Sequence, residues 1–279
     1  MYKRFFAFGC SFTDYPWSTW ADIIAHTMPN TEYYNLGRCG GGNALIHARL
    51  METDQRYNFD SNDLVIVQWT NTAREDRYLN DKGNVGWVSY GNIYTNAFYD
   101  DNFIAKYCDP FHFLLRDLAN IKAIDTLLNY KKVNYYYLSL CNIVETINQW
   151  SNIILDTTDQ KFKVAANLYK PFTDKIRPDY LKIIFNGDFM SKHIIKTKLL
   201  NSNKEIVFDN DYHPSPLMHL SYLQQVLPEI VIKPKTVVAV EQENEKLYKE
   251  DVVDFTTIPY RATNHKLDGT LNLQEFICF

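Results

Sequence analysis

The stretch "FFAFGCSFTDYPWSTW" (residues 5–20) decides how the rest of the chain is read. An aromatic-rich apolar run halts at Gly9, Ser11 follows two positions later, and a helix-like segment opens soon after. A short continuous apolar run bounded by glycine is the pattern of a strand buried on both faces of a parallel sheet. With residues 3–9 as the first strand, Ser11 stands just beyond its carboxyl end, where open parallel sheets collect their ligands. The glycine lets the backbone turn off the strand. A helix beginning nearby would aim free N–H groups and partial positive charge at the same place. Such a position suits a nucleophile whose product is an oxyanion.

The remaining sequence repeats the strand-then-helix pattern. "STWADIIAHTM" (18–28) reads as a helix with Ser18 as its cap, "EYYNLG" (32–37) as a second strand and "NALIHARLME" (43–52) as a second helix. "DLVIVQW" (63–69) is the clearest buried strand, residues 109–132 form a helix capped by Asp109 with Pro110 in its first turn, and "VNYYYLSL" (133–140) is a fourth strand. This βαβ rhythm predicts a three-layer α/β/α sandwich around a central parallel sheet. Residues 76–108 are aromatic and rich in Gly and Asn, without a sustained period, and read as an insertion that shapes a surface. Residues 142–205 show helical pieces interrupted at Pro171 and Pro178, and 213–230 form a helix with Ser215 as cap and Pro216 at its first position. After Pro234, strand-like runs mix with charge. The expected division is an α/β domain over 1–233 and a C-terminal extension or small interaction module over 234–279, through which an oligomer could form.

Composition removes several classes of function. The chain has 279 residues, 46% of them hydrophobic, enough for a sizeable core. Its formal net charge of −4, with Lys and Arg spread along the chain, offers no basic stripe for a nucleic-acid backbone. Cys10, Cys39, Cys108, Cys141 and Cys278 are scattered, without the paired spacing of zinc or redox motifs, and this suits a reducing compartment. No run approaches the ~20 apolar residues of a membrane span, and the N-terminal apolar run is too short for a secretory signal. The expected location is cytoplasmic as synthesised, with export or virion association left open.

A serine hydroxyl needs a base in hydrogen-bond reach and donors for developing negative charge. Three other segments at or near strand ends contain suitable groups: "NLGRCGGGN" (35–43), "VQWTNTARED" (67–76) and "DNDYHPSP" (209–216). G-x-S at the first strand end, a glycine loop after the second, an asparagine after the third and a late Asp/His pair before proline together resemble the SGNH/GDSL hydrolase superfamily. The resemblance spans roughly 3–76 and 209–227 and implies a flavodoxin-like fold. It implies Ser11 as nucleophile, the N–H groups of Ser11 and Gly40 and the Asn71 amide as oxyanion hole, and His213 with Asp211 completing the triad, with no metal or organic cofactor. There are departures. Cys10 replaces the aspartate of G-D-S, and "WTNT" (69–72) keeps only the asparagine of G-x-N-D. The acid usually lies three residues before the histidine, where this chain has Asn210, so Asp211, Asp209 and a backbone carbonyl all stand as candidates for the third member. The G-x-S-x-G elbow of another serine-triad fold is absent.

Each residue also has a structural reading. Ser11 could cap a helix, Gly40 to Gly42 could ease a corner, Asn71 could close a turn and His213 could be a loop residue ahead of Pro214. Asn43 is a second candidate for the same pocket, and His219 reads as a helix-surface residue. Cys10 reads as a small buried filler, with a Cys10/His213 pair as the competing chemistry. Trp87 and Tyr90, with Tyr94 and Tyr99, are placed to stack on sugar rings or to pack the insertion. The leading expectation is a serine-dependent carboxylic ester hydrolase working through an acyl-enzyme, with an O-acetylated glycan as first substrate class. An O-acetyltransferase using the same acyl-enzyme, and a non-catalytic glycan-binding or structural protein that keeps the fold, are the alternatives.

Overall fold

Side-chain alternation along the first strand sets the layers. In the computed structural model, which describes residues 2–81, 84–94, 99–144, 160–186, 198–200, 206–208, 211–249 and 252–254, β1 (Arg4–Gly9) sends Phe5 and Ala7 to one side and Phe6 and Phe8 to the other. The chain continues through α1 (Trp20–Thr27), β2 (Glu32–Gly37), α2 (Asn43–Tyr57) and β3 (Asp63–Trp69). A hairpin of β4 (Arg74–Asp81) and β5 (Asn84–Asn92) follows, then α3 (Asp101–Tyr107), α4 (Pro110–Tyr130) and β6 (Asn134–Ser139). Next come α5 (Gln160–Thr173), α6 (Tyr180–Ile183), β7 (Lys198–Leu200), β8 (Ile206–Phe208), α7 (Pro216–Val226), α8 (Pro234–Lys249) and β9 (Val252–Asp254).

The central sheet has the order β2-β1-β3-β6 with every pair parallel, so the expected α/β/α sandwich is the observed fold. Helices α1, α7 and α8 cover one face, burying Ile23, Ile24, Leu223 and Val240 against Phe5, Leu64 and Ile66. Helices α2, α4 and α5 cover the other, where Ile46, Leu50, Leu114, Leu118 and Phe162 pack on Phe6, Phe8, Val65 and Val67. Register is pinned at the amino end of the sheet, where Arg4 faces Asp63 across the β1–β3 pair. The guanidinium donates from Nε and Nη2 to the two carboxylate oxygens, each at 2.7 Å. At the opposite end, Gly37, Gly9, Trp69 and Ser139 finish β2, β1, β3 and β6. From β1 the chain moves out to β2 and then crosses back past β1 to β3, and the crevice beyond β1 and β3 is therefore the topological switch point where such sheets hold ligands.

Three local expectations change. The cap of α1 is Thr19, not Ser18: its hydroxyl accepts from the Ala21 N–H, and Asp22 answers with a capping box. Residues 76–108, expected to lack regular structure, contain most of the β4–β5 hairpin and the whole of α3. The run after Pro234 is helical over α8, and its buried positions Thr236, Val240, Glu243 and Leu247 follow a helical period that the paired valines obscured. This helix packs on α1 and α7.

Gly9 earns its place through space. A Cβ there would sit 2.0 Å from Thr13 Oγ1, whose hydroxyl donates to Gln68 Oε1 at 2.9 Å. Gly9→Ala should therefore displace Thr13 and lower the unfolding free energy by about 1–3 kcal/mol, the usual range for overpacking. A urea midpoint equal to that of the parent protein would contradict this.

Candidate active site

Two loops remote in sequence meet beyond the carboxyl end of β1. Ser11 lies in a tight turn in which the N–H groups of Thr13 and Asp14 donate to the Cys10 carbonyl at 2.9 and 3.2 Å. Its Oγ is 2.8 Å from His213 Nε2, and His213 Nδ1 is 2.8 Å from Asp211 Oδ1. Ser11 and Asp211 are buried, at 4% and 3% exposure, while the His213 side chain keeps 23% of its surface open. The short Asp-to-His spacing works because Asp211 Oδ1 also accepts from the backbone N–H of His213 at 2.7 Å. This Asx turn brings the carboxylate beside its own histidine's ring. Asp209 lies outside the described residues.

Burial alone would push the Asp211 carboxyl up. The His213 hydrogen bond and charge, together with the Tyr15 hydroxyl, outweigh it and hold the group below its ordinary value of 3.8. An ionised Asp211 accepts only, so Nδ1 must carry the proton and the Nε2 lone pair is left to accept from the Ser11 hydroxyl. Tyr15 was not singled out from sequence. Its hydroxyl donates to Asp211 Oδ2, and its ring stacks on His213 with centroids 3.9 Å apart and planes at 25°. Burial, and then the Asp211 charge, drive the Tyr15 phenol far above its usual range, which keeps it a donor. Phe12 also packs against the imidazole, edge-on at 5.6 Å.

The loops are tied together beyond the relay. Trp17 Nε1 donates to the Pro214 carbonyl at 2.8 Å, Tyr15 packs edge-on against Trp17 at 4.6 Å, and the Ser18 N–H donates to Glu243 Oε1 on α8 at 2.8 Å. The helix in the tail thus buttresses the loop that carries Ser11.

Gly40 follows β2 and Asn71 follows β3, the two strands flanking β1. Gly40 holds φ +72°, where a Cβ would also lie 2.7 Å from the Ser89 carbonyl of β5, so glycine is required twice over. Asn71 Oδ1 accepts from the Ala73 N–H at 2.6 Å, which fixes the amide and leaves Nδ2 as its free end. Among the described residues, the N–H groups of Ser11 and Gly40 and the Nδ2 group of Asn71 have no acceptor.

Other sequence candidates fall elsewhere. Asn43 is fully buried with its amide committed to Thr70 and Asp117, so it cannot donate into the site. His219 is 1% exposed rather than on a helix surface, with Nδ1 2.6 Å from Tyr180 Oη. Burial, reinforced by His213, brings it down to about 3 and keeps it neutral. Cys10 is fully buried among apolar side chains. Trp87 stands on β5 edge-on to Tyr78 at 6.0 Å, while Tyr94 and Tyr99 pack around Ile93, Cys108 and Phe113. Tyr90 belongs to β5, with its side chain outside the described residues. Among the described residues no helix is long and apolar enough to cross a membrane.

No family model matches the chain, and no curated protein does. Among solved structures it is similar to a member of the lipolytic protein G-D-S-L family from Veillonella parvula. That match has 13% identity and a TM-score of 0.39, covering 80% of this chain and 97% of the other. It is also similar to a GDSL-like lipase from Bacteroides thetaiotaomicron, at 12% identity and a TM-score of 0.39, covering 86% of this chain and 88% of the other. With likeness this remote, the chemistry has to be read from this chain's own side chains.

Tyr15→Phe keeps the stacked ring but strips Asp211 Oδ2 of its donor. The expected cost is about 1–3 kcal/mol of stability at neutral pH, the penalty for an unsatisfied buried acceptor. Because the Asp211 carboxyl is depressed, its contribution is present above its ordinary value of 3.8 and is lost as pH falls through the lower folded value. The difference between variant and parent should therefore shrink in strong acid. Denaturant titrations that give the same difference at neutral and strongly acidic pH would contradict the assignment.

Proposed function

We propose that the chain is a serine-dependent carboxylic ester hydrolase, with Ser11 as nucleophile, His213 as general base and Asp211 as the acid that orients it. The observation that carries this reading is the unbroken hydrogen-bond chain from Ser11 Oγ through the imidazole to the buried Asp211 carboxylate. Ser11 Oγ attacks the acyl carbonyl while its proton passes to His213 Nε2, and the imidazolium is stabilised by Asp211. The Ser11 and Gly40 N–H groups and Asn71 Nδ2, none of them spent on another described group, supply donors for the tetrahedral oxyanion. The imidazolium returns its proton to the departing alkoxide as the C–O bond breaks, leaving an acyl-enzyme and an alcohol. Water, deprotonated by His213, then adds to the acyl carbon, and release of the carboxylic acid restores the serine hydroxyl.

For the substrate we propose a short acyl ester on a carbohydrate. Trp87 supports this: it shares a face of β5 with Ser89, whose carbonyl approaches the Gly40 loop, so an aromatic ring lies on the strand bordering that loop. Stacking on a sugar ring is a use such a residue fits.

A fluorophosphonate should label the protein at Ser11 alone, and Ser11→Ala should remove both label and turnover. Asn71→Ala should lower turnover of p-nitrophenyl acetate by ~10²–10³-fold, the usual loss for one oxyanion donor. An unlabelled native protein would overturn the enzymatic reading. With an acceptor sugar present, acetyl transfer outrunning acetate release would replace hydrolysis with transfer while leaving the acyl-enzyme intact.

A further inference from the structure

We propose that Asn43, Asp117 and Arg116 form a buried clamp that positions the Asn71 amide for catalysis. This rests on the reading of Asn71 as an oxyanion donor and adds the device that aims it.

Asn43 is the first residue of α2, directly after the glycine loop, and it grips the main chain of Thr70 from both sides. Its Oδ1 accepts from the Thr70 N–H at 2.8 Å, and its Nδ2 donates to the Thr70 carbonyl at 3.0 Å. The second proton of Nδ2 goes to Asp117 Oδ2 at 2.7 Å. Asp117 is fully buried on α4, and its Oδ1 accepts from Arg116 Nε at 2.7 Å. Arg116 then reaches past Asn71: Nη2 donates to the carbonyls of Thr72 at 3.2 Å and Arg74 at 2.9 Å, and Nη1 pairs with Glu75 at 3.0 Å. Residues 70 and 72 are thus held on either side of Asn71 by one continuous network.

Two features separate this from ordinary loop support. The grip is on the backbone alone, for the Thr70 and Thr72 hydroxyls are buried without hydrogen-bond partners among the described residues. The network also uses an ionisable group in an unfavourable place, since burial pushes the Asp117 carboxyl up to about 6 despite the opposing Arg116 and Asn43. Satisfied buried networks fix geometry, and a catalytic donor needs fixed geometry. The Asx bond to Ala73 orients the Asn71 amide, and the clamp places the backbone from which that amide projects.

A double-mutant cycle on p-nitrophenyl acetate hydrolysis tests the clamp. Asn43→Ala should lower kcat on the order of 10- to 10²-fold, the range for a displaced catalytic group, with KM unchanged. In an Asn71→Ala background it should have no further effect, because the group it positions is gone. Arg116→Lys keeps the charge beside Asp117 but cannot hold two carbonyls in a fixed fork, and it should follow the same pattern if Asn43→Ala does not fold. Asn43→Ala or Arg116→Lys slowing the Asn71→Ala variant by the same factor as the parent would overturn the clamp while leaving the catalytic reading standing. An unchanged kcat in Asn71→Ala itself would overturn both.

Discussion

The double grip of Asp211 on His213 is the constraint on which the site depends. One carboxylate oxygen takes both the backbone N–H and the ring Nδ1 of a residue only two positions ahead, and the other takes the Tyr15 hydroxyl. The first bond shapes the loop, the second selects the tautomer and the third ties this loop to the one carrying Ser11. Remove the carboxylate and the imidazole loses both its orientation and the reason for its lone pair to face the serine. Tyr15 stacked on one side and Phe12 edge-on against the ring leave it little freedom to turn.

The parallel sheet converts that local arrangement into a site. Ser11 follows the strand lying between β2 and β3, so the loops after both neighbouring strands lie on either side of the one that carries it. Each loop is stiffened by its own means: Gly40 by a left-handed turn against the hairpin, Asn71 by an Asx turn between clamped residues, and His213 by Asp211 and the Trp17–Pro214 bond. The long sequence separation between Ser11 and His213 is spanned by these loop-to-loop bonds and by α8, whose Glu243 holds the Ser18 backbone.

Much of this was legible in the sequence because strands buried on both faces leave continuous apolar runs, and because the residues after them cannot be apolar if they work. β2 and β3 match their sequence boundaries, and β1 and β6 lie within them. The pairing of Ser11 with His213 was implied by the family resemblance, which strand-end position and residue type carried. What stayed hidden depends on contacts between distant positions. Tyr15 looked like one more aromatic in a crowded stretch, and nothing local marks its hydroxyl as the partner of a carboxylate nearly two hundred residues later. Asn43 was misassigned because an asparagine beside a glycine loop has the same appearance whether it donates to substrate or to backbone. His219 was placed outside because one polar residue on a helix gives no sign of a buried tyrosine partner. The helical period of α8 was present in Thr236, Val240, Glu243 and Leu247, but a buried glutamate in that row reads as surface.

The central claim concerns which nitrogen of one imidazole carries the proton, and nitrogen-15 NMR of selectively labelled histidine reads it directly. At mildly alkaline pH, neutral His213 should appear as the Nδ1-protonated tautomer, with an unprotonated Nε2 facing Ser11, and Asp211→Asn should abolish that preference. A native His213 resting as the Nε2-protonated tautomer, or one indifferent to loss of the Asp211 charge, would contradict the account.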